Sequence, residues 1–275
     1  MKLKAEDIEF NLLLNESGYE KSRTPVIFLH GFTGDATDWQ FILDKFPKKF
    51  FPVAIDLIGH GSTSSPVDQN HYTCSAIVRQ LHSIFNQLSF DRVILVGYSM
   101  GGRVSLSYAL TYPHMMKAAV LESSTAGIED IRSKKERVEI DYLFAEKIKN
   151  EGVESFINFW FDTPLFESLK NLPDFDRIKK NRLKNSSTGL ANSLMSFSTG
   201  LMMSYWDKIS SLSFPILLLS GELDLKYSAI NAKMQSKLQK AQHTSVQKCG
   251  HNVHLEKPED FTKLVMEFLT NIQGL

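Results

Sequence analysis

Val93-Ile94-Leu95-Val96-Gly97-Tyr98-Ser99-Met100-Gly101-Gly102-Arg103 decides how this chain is read. The first four residues form an apolar run rich in β-branched side chains, which predicts a buried strand. A helix is expected to begin at once on Met100-Gly101-Gly102-Arg103-Val104, so Gly97-x-Ser99-x-Gly101 falls on the sharp turn between the two. Alone, G-x-S-x-G arises by chance in many sequences. Set between a strand and a helix it is a nucleophile elbow, which presents a serine hydroxyl at the top of a sheet. Small residues flank the serine because bulkier ones would hold strand and helix apart. The serine backbone itself is expected in a strained conformation that the surrounding structure offsets.

Similar short apolar runs recur on either side: Ile8–Leu14, Val26–Leu29, Val53–Ile55, Ala118–Leu121, Ile216–Leu219 and Thr244–Gln247. From Val26 onward they show little alternation, as parallel strands covered on both faces do. Helix-like stretches lie between them at Thr73–Leu88, Met100–Leu110, Ser228–Leu238 and Glu259–Ile272. That alternation predicts an α/β fold with a parallel sheet and right-handed crossovers. Between Ser123 and Leu212 there is no convincing strand, only helical text broken by Gly152, Pro164 and Pro173. Residues 123–211 are therefore expected to form a helical cap inserted in a core made of 1–122 and 212–275, in preference to an independent second domain.

A chain of 275 residues suits one α/β domain with an insertion. Basic and acidic residues number 31 each, so charge balance points to no nucleic-acid or membrane-surface partner. No apolar run approaches the length of a membrane span, and Met1–Asp7 lacks the apolar core of a signal peptide. Cys74 and Cys249 are too few for a disulfide framework and read as free thiols. The expectation is a cytoplasmic, monomeric protein with a small-molecule partner and no membrane insertion.

A serine hydroxyl becomes reactive when a histidine, oriented by a carboxylate, takes its proton. Behind an elbow of this kind the partners follow in the order acid, then histidine. Ile216-Leu217-Leu218-Leu219-Ser220-Gly221-Glu222-Leu223-Asp224 sets an acidic residue just past a buried strand. Asp224 is the natural orienting acid, and Glu222, nearer the strand end, the weaker candidate. The next strand runs into Cys249-Gly250-His251-Asn252, which brings His251 to the same sheet edge as Ser99 and Asp224. His254 lies further on and is expected to pack at a helix entrance, and His30, in Leu29-His30-Gly31-Phe32, to brace its loop. The N–H groups of Phe32 and Met100 would form an oxyanion hole. The other histidines, at 60, 71, 82, 114 and 243, read as loop or surface residues. No cluster has metal-ligand spacing, and Gly59-His60-Gly61 lacks the lysine and spacing of a phosphate loop.

These motifs resemble the α/β-hydrolase superfamily across essentially the whole chain outside the cap. The resemblance implies a mostly parallel eight-stranded sheet flanked by helices. Ile58 stands where many members have proline, in Asp56-Leu57-Ile58-Gly59-His60-Gly61, a departure that touches loop stiffness alone.

Fold does not name the substrate. Arg103 is more informative, because four residues after Ser99 it shares roughly one helical face with it. A guanidinium in the buried first turns of that helix demands a partner, either a structural salt bridge or a bound anion held bidentately. At this level the chain resembles one family, the 2-succinyl-6-hydroxy-2,4-cyclohexadiene-1-carboxylate synthases of menaquinone biosynthesis. The matching text is Leu29-His30-Gly31-Phe32-Thr33-Gly34 with Asp38-Trp39, the elbow through Arg103, Leu121-Glu122-Ser123, and Gly127-Ile128. In the cap it includes Arg137 before Asp141, Phe159-Trp160 before Pro164-Leu165-Phe166, Arg182 before Gly189-Leu190-Ala191, and Ser198-Thr199-Gly200. Gly250-His251-Asn252-Val253-His254-Leu255-Glu256 completes it, while Ala126 replaces a frequent proline.

The resemblance implies a lyase without cofactor or metal. It would eliminate pyruvate from 2-succinyl-5-enolpyruvyl-6-hydroxy-3-cyclohexene-1-carboxylate, with Ser99, relayed by His251 and Asp224, as the base. Arg103, Arg137 and Arg182 would meet the carboxylates of this polycarboxylate substrate, and Tyr98 and Trp160 would shape the pocket. Read without the resemblance, Arg137 and Arg182 belong to charged runs that suit a solvated helix face, and Trp160 suits the cap core. Two other functions fit the same motifs: a serine hydrolase acting on an ester or a carbon–carbon bond, and a catalytically dead scaffold, against which the intact triad argues.

Overall fold

Along each central strand alternate side chains serve opposite faces. Ile27, Leu29, Val93 and Leu95 pack into one apolar core, whereas Val26, Phe28, Ile94 and Val96 pack into another. Both faces are thus covered, which is why these runs lack alternation in the sequence. The computed structural model describes residues 1–15 and 19–273. Its strands are β1 (Lys2–Ala5), β2 (Ile8–Leu13), β3 (Thr24–Leu29), β4 (Phe50–Ile55), β5 (Val93–Tyr98), β6 (Met116–Glu122), β7 (Ile216–Gly221) and β8 (Ala241–Val246). They form one eight-stranded sheet in the order β1-β2-β4-β3-β5-β6-β7-β8. Pairing is parallel from β4 through β8 and antiparallel for β1 with β2 and for β2 with β4.

The candidate strands of the sequence all appear, mostly longer than their apolar runs. β1 is an addition: its alternating Lys2-Leu3-Lys4-Ala5 is too short and too charged to stand out, yet lysines suit an exposed sheet edge. The principal helices are α1 (Cys74–Gln87), α2 (Met100–Thr111), α3 (Ile131–Phe161), α4 (Phe175–Arg182), α5 (Ser187–Ser196), α6 (Leu225–Lys237) and α7 (Pro258–Thr270). Starts are marked by side-chain caps, from Thr73 on α1, Asp130 on α3 and Ser186 on α5.

Between β6 and β7 the described residues are helical or irregular, with α3, α4 and α5 as the main elements. Gly152 breaks α3 with φ 85°, a conformation that side-chain-bearing residues avoid. The insert has a core of its own, including Ala145, Ile148, Phe156, Ile157, Ile178 and Leu190. Phe32 and Leu255, from outside the insert, pack against it, so the insert sits on the sheet edge that carries the elbow. Among the described residues no helix is long and apolar enough to cross a membrane.

Candidate active site

β5 ends in Tyr98, and α2 begins one residue beyond Ser99. Ser99 takes φ 49° and ψ −103°, outside the favoured regions for an L-residue, and its N–H is held by the Glu122 carbonyl at 2.8 Å. A side chain at Gly101 would collide with the Leu29 carbonyl, and one at Gly97 with Gly101 and Ser105. Glycine at both positions lets α2 rest directly on β3 and β5.

His251 Nδ1 lies 2.6 Å from Asp224 Oδ2, and its Nε2 lies 3.3 Å from Ser99 Oγ. An ionised carboxylate only accepts, so the Nδ1 proton faces Asp224 and Nε2 is left to accept from the serine. The 3.3 Å spacing is loose, as such contacts often are without substrate. Asp224 is held in turn, because its Oδ1 caps α6 by accepting from Tyr227 N–H. Glu222, the other acidic candidate, accepts from Lys248 N–H at the surface instead. The loop carrying His251 has its own anchor: Glu256 accepts from Gly250 N–H at 2.7 Å and from Asn252 N–H at 3.2 Å.

The rival histidines are committed elsewhere. His30 accepts from Leu57 N–H at 2.9 Å through Nε2, which leaves Nδ1 to donate to Gly31 O at 2.7 Å. It braces the loop, as expected. His254 lies within the short helix Val253–Glu256, with Nδ1 2.9 Å from both oxygens of buried Glu122 and its ring stacked 4.2 Å from Trp39. His60 corrects the expectation of a surface residue. It occupies a loop but is fully buried beside His30 and Phe32, and burial, reinforced by His30, drives its pKa down to about 3.

Ser99, His251, Phe32, Met100, Tyr98, Arg103, Arg137 and Trp160 line one small cavity of about 80 Å³. Met100 opens α2, so its N–H is among the helix-start donors without an intrahelical acceptor. Larger hollows lie elsewhere; one of about 760 Å³, along Arg92, Lys117 and Lys240, holds no triad residue. Tyr98 and Tyr227 in the cavity wall have phenol pKa values pushed up, first by burial, and so stay neutral donors.

The three arginines expected at the site divide. Arg103 is 9% exposed, donates from Nη1 to Phe197 O at 2.9 Å, and stacks 4.4 Å over the Phe197 ring. It has no carboxylate within ion-pair distance among the described residues, and burial, then the nearby Arg137, lower its pKa to about 10. Arg137 faces the cavity but is paired through Nε with Asp141 at 2.8 Å. Arg182 corrects the expectation of a substrate contact. It lies outside the cavity lining, in a bidentate pair with Asp38 at 2.8 Å for each bond, with both side chains 5% exposed. Trp160 packs on Phe156 in the insert core and lines the cavity.

Sequence reasoning gave no role to Asp141, Tyr227 or Phe197. The first two had a usable signal. Asp141 stands four residues after Arg137, one helical turn on, and Tyr227 three after Asp224. Phe197, at the end of α5, carries none.

Residues 24–258 match the model of the alpha/beta hydrolase fold family. The chain is 41% identical over 249 residues to the putative 2-succinyl-6-hydroxy-2,4-cyclohexadiene-1-carboxylate synthase of Bacillus subtilis, covering 90% of each. A synthase of the same name from Klebsiella pneumoniae is 29% identical, over 85% of this chain and 88% of its own. The solved structure of MenH from S. aureus superposes with a TM-score of 0.90 at 30% identity, over 96% of this chain and 99% of that one. A thermophilic esterase from Thermogutta terrifontis, at 23% identity and TM-score 0.81, shares the fold. The chain therefore belongs to the 2-succinyl-6-hydroxy-2,4-cyclohexadiene-1-carboxylate synthase family, within the alpha/beta hydrolase fold.

Proposed function

We propose that this protein is a lyase that eliminates pyruvate from 2-succinyl-5-enolpyruvyl-6-hydroxy-3-cyclohexene-1-carboxylate. The product would be 2-succinyl-6-hydroxy-2,4-cyclohexadiene-1-carboxylate, the compound for which its relatives are named. The observation that carries this reading is Arg103: a buried, cavity-facing cation with no acidic partner among the described residues, one helical turn from Ser99. Burying an unpaired guanidinium is costly, and a bound carboxylate offsets that cost.

Ser99 acts here as a base. His251 Nε2 takes the Ser99 proton, and Asp224 holds the imidazole and stabilises its charged form. The serine oxyanion then removes the acidic C–H proton of the substrate. Electrons pass through the ring, a second double bond forms, and the carbon–oxygen bond to the enolpyruvyl group breaks. Pyruvate leaves as its enolate and takes up a proton. The N–H groups of Phe32 and Met100 steady negative charge on the succinyl carbonyl, while Arg103 holds a carboxylate. Tyr98 and Trp160 orient the ring, and Arg137 contributes a cation partly neutralised by Asp141. A ring carboxylate with two side arms, each ending in a further carboxylate, exceeds a cavity of about 80 Å³, so the insert acts as a cap that moves to admit it.

Incubating the purified chain with the enolpyruvyl substrate, with 4-nitrophenyl acetate in parallel, tests the reading. Pyruvate should appear together with the ultraviolet absorbance of the ring diene, and Ser99→Ala should abolish both. Brisk ester turnover without pyruvate would assign the triad to a serine hydrolase instead.

A further inference from the structure

A cavity with two arginines also holds a buried carboxylate. Asp141, on α3, is 1% exposed and lines the same space as Ser99 and Arg103. Its Oδ2 accepts from Arg137 Nε at 2.8 Å. Its Oδ1 is equally buried and has no hydrogen-bond partner among the described residues. Buried polar atoms are nearly always paired, and a charged oxygen left bare is among the costliest exceptions.

The chemistry of the missing partner is constrained. A carboxylate oxygen only accepts, so the partner must donate. A second carboxylate would be repelled. The described residues offer no donor there, and a hydroxyl is the donor an anionic ring acid can carry. Asp141 also divides the site. It neutralises Arg137 and leaves Arg103 as the cavity arginine without an acidic partner. The cavity then offers a cation for a carboxylate and, near it, an acceptor for a hydroxyl.

We infer that Asp141 is a specificity residue whose free Oδ1 accepts a hydrogen bond from a ring hydroxyl of the bound acid, while Arg103 takes the carboxylate beside it. The inference rests on the synthase reading for the identity of that acid. The name shared by the relatives puts a 6-hydroxy group next to a 1-carboxylate on one ring, the spacing of a β-hydroxy acid. Asp141 would thus make the site selective for hydroxylated ring acids over their deoxy counterparts. Sites built to hydrogen-bond a hydroxyl reject analogues that lack it, because the site's own polar group is then left unpaired.

Calorimetric titration of the full chain with three simple probes tests this: cis- and trans-2-hydroxycyclohexane-1-carboxylate, and cyclohexane-1-carboxylate. Wild-type protein should bind one hydroxy acid about tenfold or more tightly than the plain acid, the worth of a hydrogen bond to a charged group. Asp141→Ala should lose that preference and bind the plain acid at least as tightly as wild type, since Arg137 is released. Asp141→Asn keeps the shape with one acceptor fewer and should reduce the preference, which covers the case in which the alanine variant fails to fold. Equal binding of all three acids by wild type, no saturable binding of any of them, or a preference that survives both substitutions would overturn the inference. Pyruvate release by wild-type protein is scored separately. A hydroxyl preference without pyruvate release sinks the lyase reading and leaves the subsite standing, whereas pyruvate release without the preference sinks the subsite alone.

Discussion

Arg182 and Asp38 meet through two parallel N–H···O bonds of 2.8 Å, tying α4 of the insert to the loop that follows β3. Both side chains are almost wholly buried. Burial alone would raise the Asp38 carboxyl, but the Arg182 charge and its hydrogen bonds outweigh it and hold the pKa below the usual value. The pair is therefore a rivet between insert and sheet. Arg182→Ala should cost about 3–5 kcal/mol of stability, since it strands a buried carboxylate. Replacing both partners by apolar residues of similar size should recover much of that loss. The sign of the pH dependence follows from the depressed carboxyl. Its contribution is present above about pH 4 and disappears as pH falls through the folded-state value. Chemical denaturation from pH 3 to 7 checks this. An unchanged midpoint with a raised KM would return Arg182 to the substrate.

Arg103 should behave in the opposite way. Its guanidinium already rests on the Phe197 ring and carbonyl, so removing it frees no buried acid. Arg103→Ala should lower kcat/KM by about a hundredfold or more, the scale of a lost charge-assisted contact. Arg103→Lys should restore only part, because an ammonium cannot match a carboxylate with a planar fork. Steady-state kinetics on the enolpyruvyl substrate decide it, and unaltered kcat and KM in Arg103→Ala would remove the anion-binding role.

The sheet and the triad were legible in the sequence because each rests on local text: an apolar run, a turn, then the reactive residue. Ser99, Asp224 and His251 each follow a strand, so the strand order alone carries them to one edge. The arginines were harder because their roles depend on which partner sits across the fold. Asp38 and Arg182 stand 144 residues apart, and only the docking of the insert shows that they pair. His60 hid for a related reason: Gly59-His60-Gly61 reads as an exposed turn until Tyr72 and Gly189 are seen packed against Gly59. Asp141, by contrast, was readable from helical spacing, since Arg137 lies one turn before it.

Glu256 should position His251 without touching substrate. Its two oxygens hold the N–H groups on either side of the histidine, Gly250 and Asn252. Glu256→Gln keeps one acceptor and sets an amide N–H against the other donor. The loop should shift, and kcat should fall about tenfold to a hundredfold with KM little changed, as a small misplacement of a base allows. Stability should drop by about 1–3 kcal/mol for the unpaired N–H. A loss of stability with kcat intact would show that the clamp serves folding alone.

His60 should make the protein sensitive to mild acid. Its Nδ1 faces the Ile58 carbonyl at 3.0 Å, and its Nε2 is buried without a partner among the described residues. Burial, with His30 nearby, lowers the pKa from 6.5 to about 3, so the folded state holds the ring neutral. The unfolded chain takes up its proton near pH 6.5, whereas the folded chain resists until about pH 3. The unfolded state therefore binds more protons across that window, and stability must fall as pH drops through it. At about 1.4 kcal/mol per unit the full effect is several kcal/mol, with the first part visible between pH 6.5 and 5. His60→Asn keeps a donor for Ile58 and cannot titrate. It should start less stable at pH 7.5, because it fills less space, yet lose less between pH 6.5 and 4. Urea midpoints for the two proteins across that range decide the matter, and parallel slopes would show that acid acts elsewhere.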